Sequence, residues 1–155
     1  MTTLAEAAKA EDAEKIERLE SAMLQHEQVE CPLDHFFAPG VYVRQMTVPA
    51  GVLLVGHEHR FEHVCILLKG KMTIATSNGV ETISAPLTFV AQPGRKVAYT
   101  HEECVWQNIH ATEERDLDKI EEQFVIKSDT WMEHQENAAL AAKMQAHILS
   151  DKDMP

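Results

Sequence analysis

Basic residues are scarce in this chain of 155 residues: 14 Lys and Arg stand against 25 Asp and Glu, for a formal net charge of −11 with the histidines neutral. A surface that binds nucleic-acid phosphates needs clustered cations, so no nucleic acid is expected as the main partner. An anionic membrane surface is set aside on the same ground. Long apolar runs are missing too, and none reaches the length of a membrane span. The N-terminal stretch TTLAEAAKAEDAEKIERLE is acidic and lacks the apolar core of a secretory signal, so a cytoplasmic location is expected. Cysteine is sparse. Cys31, Cys65 and Cys104 are odd in number and widely spaced, with no CxxC pair, which suits a reducing compartment. Cys31 and His35 lie four apart in CPLDH, but two ligands alone do not make a metal site. A phosphate loop, a Ser-His-Asp order and a paired-carboxylate motif are also missing, which argues against phosphoryl transfer and nucleophilic hydrolysis.

What is present is the composition of one folded domain, 45% hydrophobic and 25% charged. Residues 1–28 are assigned to an N-terminal helix, because Leu4, Ile16, Leu19, Met23 and Leu24 recur at a helical period from residue 3 onward. VECPLDHFFAPGV, with two prolines and a glycine, reads as an irregular connection. From residue 38 to 112 the texture is that of strands. VYVRQMTV, GVLLVGHEH, HVCILLKG, KMTIAT, VETIS, LTFVAQ, KVAYT and VWQNIH alternate with turn signals, and Ser77-Asn78-Gly79 marks a tight hairpin. About eight short strands without intervening helices predict an all-β sandwich or barrel of the jelly-roll kind. Residues 113–150 return to helix. Thr112 is the expected cap of a short acidic helix through Phe124, and Ser128 or Asp129 that of a second one; the tail SDKDMP is expected to fray.

Three of the nine histidines fall between His57 and His63. His57 and His59 are two apart, so on one strand they share a face, and the run Leu53, Val55, His57, His59 predicts that this face is the inner one. Glu58 points the other way. Arg60 to Glu62 supply a turn, and His63 opens the next strand. Two imidazoles from one strand and a third from its neighbour make a divalent metal site, for which imidazole suits Zn, Fe, Ni and Cu, with Mn less favoured. Three imidazoles with no metal would leave buried polar atoms unpartnered.

These residues resemble the cupin superfamily. Its first motif is glycine, five residues, His-x-His, three or four residues, glutamate, six residues, glycine; here Gly51, VLLVG, His57-Glu58-His59, RFE, His63, VCILLK and Gly70 follow that spacing, with His63 where the family has glutamate. The second motif is weaker. Gly94 fits its glycine, but Val97 falls where the metal-binding histidine belongs, and His101 where the asparagine belongs. The resemblance implies a cupin jelly-roll β-barrel with flanking N- and C-terminal helices. It implies a divalent transition metal (Zn, Fe, Ni or Mn) on His57, His59 and His63. His110, at the end of VWQNIH and on the same face as Asn108 and Trp106, is preferred over His101 as a fourth ligand.

Alternation from His63 puts Cys65 and Leu67 inside, Cys65 either lining the metal pocket or serving as a small buried hydrophobe. Alternation from Val97 puts Tyr99 inside. Glu62 serves as an acid or base if the turn folds it inward, and is otherwise solvated. No catalytic residue is assigned. The match covers residues 38–112. APGVYVRQM, GHEHRFEH, LLKGKM, APLTFV, VWQNIH and DLDKIEEQF are similar to small cupins of tailed phages and prophages, which implies host cytoplasm. Three functions stand as alternatives: a metal-dependent enzyme acting on a small molecule, of the dioxygenase, isomerase or lyase type that the resemblance implies; a non-catalytic accessory protein binding a metal or small molecule; or a structural protein with a metal-stapled barrel. A homodimer is expected, with Leu4, Ile16, Leu19, Met23, Trp131, Leu140, Met144 and Ile148 as interface candidates.

Overall fold

Alternating apolar runs broken by turn residues leave the chain few options other than antiparallel sheets, and the computed structural model shows two of them face to face. It describes residues 3–76 and 78–152. The elements are α1 (Leu4–Met23), β1 (Leu33–Ala38), β2 (Val41–Val48), β3 (Leu53–Val55), β4 (Glu58–His59), β5 (His63–Lys69), β6 (Lys71–Thr76), β7 (Gly79–Ser84), β8 (Leu87–Ala91), β9 (Val97–Thr100), β10 (Cys104–Ala111), α2 (Leu117–Phe124), β11 (Val125–Ile126) and α3 (Asp129–Lys152). One sheet has the order β1-β2-β10-β5-β8 and the other β3-β9-β6-β7, with a small β11-β4 ribbon at one end. Most neighbours in the sheets are not consecutive in sequence, and the chain crosses repeatedly from one sheet to the other. This is the jelly roll, built as two open sheets rather than one continuous closed barrel.

The core lies between the sheets. Cys65, Leu67, Met72, Ile74, Ile83, Ala91, Cys104 and Trp106 form its buried cluster. Along β10 the burial alternates strictly, with Cys104, Trp106, Asn108 and His110 inside. Gly70 turns β5 into β6 at φ +92°, and a Cβ there would strike the Glu103 carbonyl oxygen and the Cys104 sulfur. Only glycine meets both demands.

Several expectations change. The connection 29–41 contains a real strand, β1, an edge strand paired with β2 and closed by the Pro39-Gly40 turn. Its alternation is visible in half-buried His35 and Phe37; the flanking prolines bracket the strand rather than break it. Helix α1 stops at Met23 and begins with a capping box between Thr3 and Glu6. Helix α2 is capped by Asp116, whose carboxylate accepts from the Asp118 and Lys119 amides. Thr112 instead accepts from the Glu114 amide in the preceding turn. Ser128 caps α3 through the Trp131 amide. Ser150, Asp151 and Lys152 continue that helix, while Asp153 to Pro155, and Ser77 of the hairpin, lie outside the described residues. No described helix is long and apolar enough to cross a membrane.

A buried polar clamp ties the helices to the sheets. Glu20, 5% exposed, receives Arg95 Nη2 at 2.5 Å and also the Ser128 hydroxyl. Arg95 Nε in turn donates to the Gly56 carbonyl at 2.8 Å. Gly56 immediately precedes His57, so one carboxylate from α1 secures the start of α3 and the histidine segment together.

Candidate functional site

One cavity of about 470 Å³ opens between the sheets and is covered by α2. His57, His59, His63 and His110 all line it, with Cys65 deeper inside. The sequence places them there by two devices. β5 and β10 are hydrogen-bonded neighbours, with Cys65 opposite Asn108, so His63 and His110 enter from adjacent strands. His59 is held by β4, through paired backbone hydrogen bonds with Gly94 at 2.9 Å and through pairing with Val125. The inner run differs from the expected one. Leu53 faces outward opposite Tyr99, Leu54 faces the cavity, and regular strand structure lapses at Gly56-His57, which resets the phase before His59.

The His59, His63 and His110 imidazoles form a cluster, while His57 lines the same cavity apart from them. The His59 and His63 rings stack with centroids 4.3 Å apart, His63 and His110 are 5.0 Å apart, and His59 and His110 6.1 Å. His110 also stacks on Phe124 at 4.3 Å. His57 meets the edge of Trp131 at 4.9 Å. His63 Nδ1 lies 3.2 Å from the Phe61 carbonyl oxygen. Donation of its proton to that oxygen leaves the Nε2 lone pair free. Among the described residues, His63 Nε2, His59 Nδ1 and His57 Nδ1 are buried without a hydrogen-bond partner.

Burial keeps these rings neutral. It lowers His59 to about 3, with His63 and Lys96 adding to the shift, and His110 to about 4, with His63 and Arg44 adding. It lowers His57, with Lys127 adding, and His63, against the opposing Phe61 hydrogen bond. Neutral imidazole is the ligating form. The donor chemistry therefore fits a divalent metal. The present ring orientations do not yet form a ligand set: the lone pairs of stacked rings run in nearly parallel planes. Among the described residues no three His, Cys, Asp or Glu side chains form a group that would hold an ion as they stand. Coordination requires the rings to turn about their side-chain torsions.

The remaining expected residues separate. Cys65 is fully buried, its thiol pushed up to about 12 by burial, and it lies 3.4 Å from Asn108 Oδ1, which also accepts from the Trp106 indole at 2.5 Å. A thiol in that state is a packing residue first. Tyr99 is corrected: it is 43% exposed, on the outer face beside His101. Ala98 and Thr100 are the inward residues of β9, and Lys96 precedes them in phase. Glu62 is also corrected. It stays at the surface, accepting from Gln92 at 2.8 Å, because the turn 60–62 projects its side chain away from the cavity. His101 bonds the Thr73 hydroxyl at 2.7 Å on the exposed face, whereas His110 is 7% exposed inside. Cys31 donates to the Val29 carbonyl and His35 bonds the Tyr42 hydroxyl at 2.7 Å, so each is engaged separately.

Sequence reasoning missed Arg44, Lys96, Tyr42 and Phe124 in the cavity wall. Arg44 had a signal, since it alternates with Tyr42 and Met46 on β2. Lys96 had one as well, in the small inward residues Ala98 and Thr100 that follow it.

No family model matches the chain, and no curated protein matches it in sequence. Solved structures similar to it include a cupin-2 domain protein from Shewanella frigidimarina, at 14% identity over 61% of this chain and 92% of that one, TM-score 0.42. A cupin domain from Bordetella pertussis is similar at 16% identity over 56% and 98%, TM-score 0.43. An acetylacetone dioxygenase from Acinetobacter johnsonii is similar at 17% identity over 54% and 61%, TM-score 0.45. The fold assignment rests on the strand order of the two sheets, a jelly roll with helices at both ends of the chain.

Proposed function

We propose that this chain is a cupin whose cavity binds one divalent metal ion through His57, His59 and His63, with His110 as the fourth ligand, beside space for a small molecule. The observation that carries this reading is the set of three buried imidazole nitrogens without partners in a single cavity. Buried polar atoms without partners are costly, and a metal satisfies them together. Zn, Fe, Ni and Mn are the candidate ions. A bound ion would supply Lewis acidity and a site for water or dioxygen. The chain's own residues would do the rest. Phe124 and Trp131 shield His110 and His57, and the apolar wall of Leu54, Met72, Ile74 and Trp106 excludes water around a ligand.

A cavity of about 470 Å³ is of ligand size, which favours a metal-dependent enzyme of dioxygenase, isomerase or lyase type over a packed, metal-stapled structural protein. The second reading is a non-catalytic binding protein, such as an accessory protein of a phage or prophage. It is favoured by Lys96, which lines the cavity from just before β9 and is a ligand-binding group rather than a metal ligand. Calorimetric titration of EDTA-treated protein with Zn, Ni, Mn and anaerobic Fe(II) tests the proposal. Binding of about one ion per chain is expected, weakened clearly by His110→Ala and not by His101→Ala. Equal, negligible effects of the two would remove His110 from the set, and lack of binding by any of the four ions would overturn the metal reading.

A further inference from the structure

The cavity holds two cations that a metal site does not need. Arg44 enters from β2 in one sheet, and Lys96 from the residue just before β9 of the other. The Lys96 ammonium nitrogen is buried and has no hydrogen-bond partner among the described residues. Neither cation has a carboxylate within ion-pair distance among those residues. The two carboxylates of the cavity wall, Asp118 and Glu121, sit on α2, and neither forms an ion pair with Arg44 or Lys96. Glu121 is held by Lys127 at 2.5 Å, and Asp118 is exposed on the first helical turn. In a chain of net charge −11, carboxylates were available to pair with these two cations, yet among the described residues none does. An unpaired buried cation is costly to fold around, and a ligand that brings the missing anion recovers that cost.

We infer that Arg44 and Lys96 form the recognition pair for a small organic carboxylate, whose apolar body lies against the Leu54, Met72, Ile74 and Trp106 wall. The pair spans the two sheets, so an anion between them is gripped from both sides. The guanidinium offers a planar pair of donors to a carboxylate, and the ammonium supplies a point charge from the opposite wall. The apolar remainder of the cavity favours a monoanion with a hydrocarbon body over a fully hydrated inorganic anion. This inference rests on the reading of the cavity as a small-molecule site. It does not require the metal.

Benzoate and its uncharged isostere benzamide are the probes, titrated into EDTA-treated protein by calorimetry or ligand-observed NMR. Benzoate is expected to bind at least about tenfold more tightly than benzamide, the margin of one charge-assisted contact. In Arg44→Met/Lys96→Met that preference should fall to within about twofold, with benzamide binding retained as proof of an intact cavity. Lys96→Met alone guards against misfolding of the double variant. It removes the buried cation for an apolar side chain of similar length, so it should melt no lower than the parent while losing most of the preference for benzoate. Benzoate no tighter than benzamide, a preference that survives both variants, or no benzoate binding at millimolar concentration would each overturn the inference. A preference that appears only on adding metal and ignores both variants would also overturn it, because the ion would then hold the anion, and the metal reading would stand. Conversely, a variant-sensitive preference in protein that takes up no metal would uphold the inference and remove the metal.

Discussion

Acid should destabilise this protein even when it carries no metal. His59 and His110 have folded-state values near 3 and 4, against an ordinary 6.5, because burial disfavours their charged forms. Below 6.5 the unfolded chain takes up protons on both residues and the folded chain does not. Stability is therefore fully present above 6.5 and is lost as pH falls toward the folded values. Between pH 7 and pH 5 a buried neutral histidine of this kind contributes a loss on the order of 2 kcal/mol. His110, at 7% exposure, should show that amount. His59 is less enclosed, so its share is discounted, and the two together come to about 3 kcal/mol. For a domain of this size that is a fall of roughly 10 °C in melting temperature. The assay is thermal unfolding of EDTA-treated protein across pH 7 to 5, followed by circular dichroism. His110→Phe keeps an aromatic ring between Tyr42 and Phe124 but cannot be protonated, so it should remove about two thirds of the slope. Metal-loaded protein should fall more steeply between about pH 6 and 4.5, where protons compete for the ligands. A melting temperature that stays flat in the metal-free protein, or a His110→Phe slope equal to the parent's, would refute the burial argument.

Glu20→Ala should cost about 3 kcal/mol in urea unfolding, because it leaves Arg95 buried without its partner and frees the start of α3; an unchanged midpoint would show that the clamp is not closed in solution. Gly70→Ala should destabilise by more than about 2 kcal/mol in the same assay, from its positive φ and the clash with Glu103 and Cys104. We also propose a homodimer. Leu140, Met144 and Ile148 on α3 are each more than half exposed and Leu4 almost wholly so, whereas Ile16, Leu19, Met23 and Trp131 are already half-buried within the chain. Light scattering should give twice the 17.4 kDa chain mass, and 17.4 kDa throughout the micromolar range would contradict the proposal.

The β-strands were legible because side-chain alternation and turn chemistry are local. The runs Val41–Val48 and Lys71–Thr76 coincide with β2 and β6. β1 was hidden because its prolines and glycine signal a loop, although they only bound the strand. Tyr99 failed on phase: the inward residue just before β9 is a lysine, so the strand was read one residue out of step, and the same slip concealed Lys96. The His57 segment was legible as a cluster, but not in its orientation, since a break at Gly56 resets the alternation. Glu20 was not legible as a structural residue. Its partner, Arg95, is 75 residues away, and no local pattern carries that pairing.

We propose that these imidazoles gather to hold a metal. Mass-spectrometric metal analysis of untagged protein, purified without chelator and beside a His57→Ala/His59→Ala/His63→Ala variant, tests it most directly. About one divalent transition-metal ion per chain is expected in the parent and almost none in the variant. A parent that carries no ion, or a variant that carries as much as the parent, would contradict it.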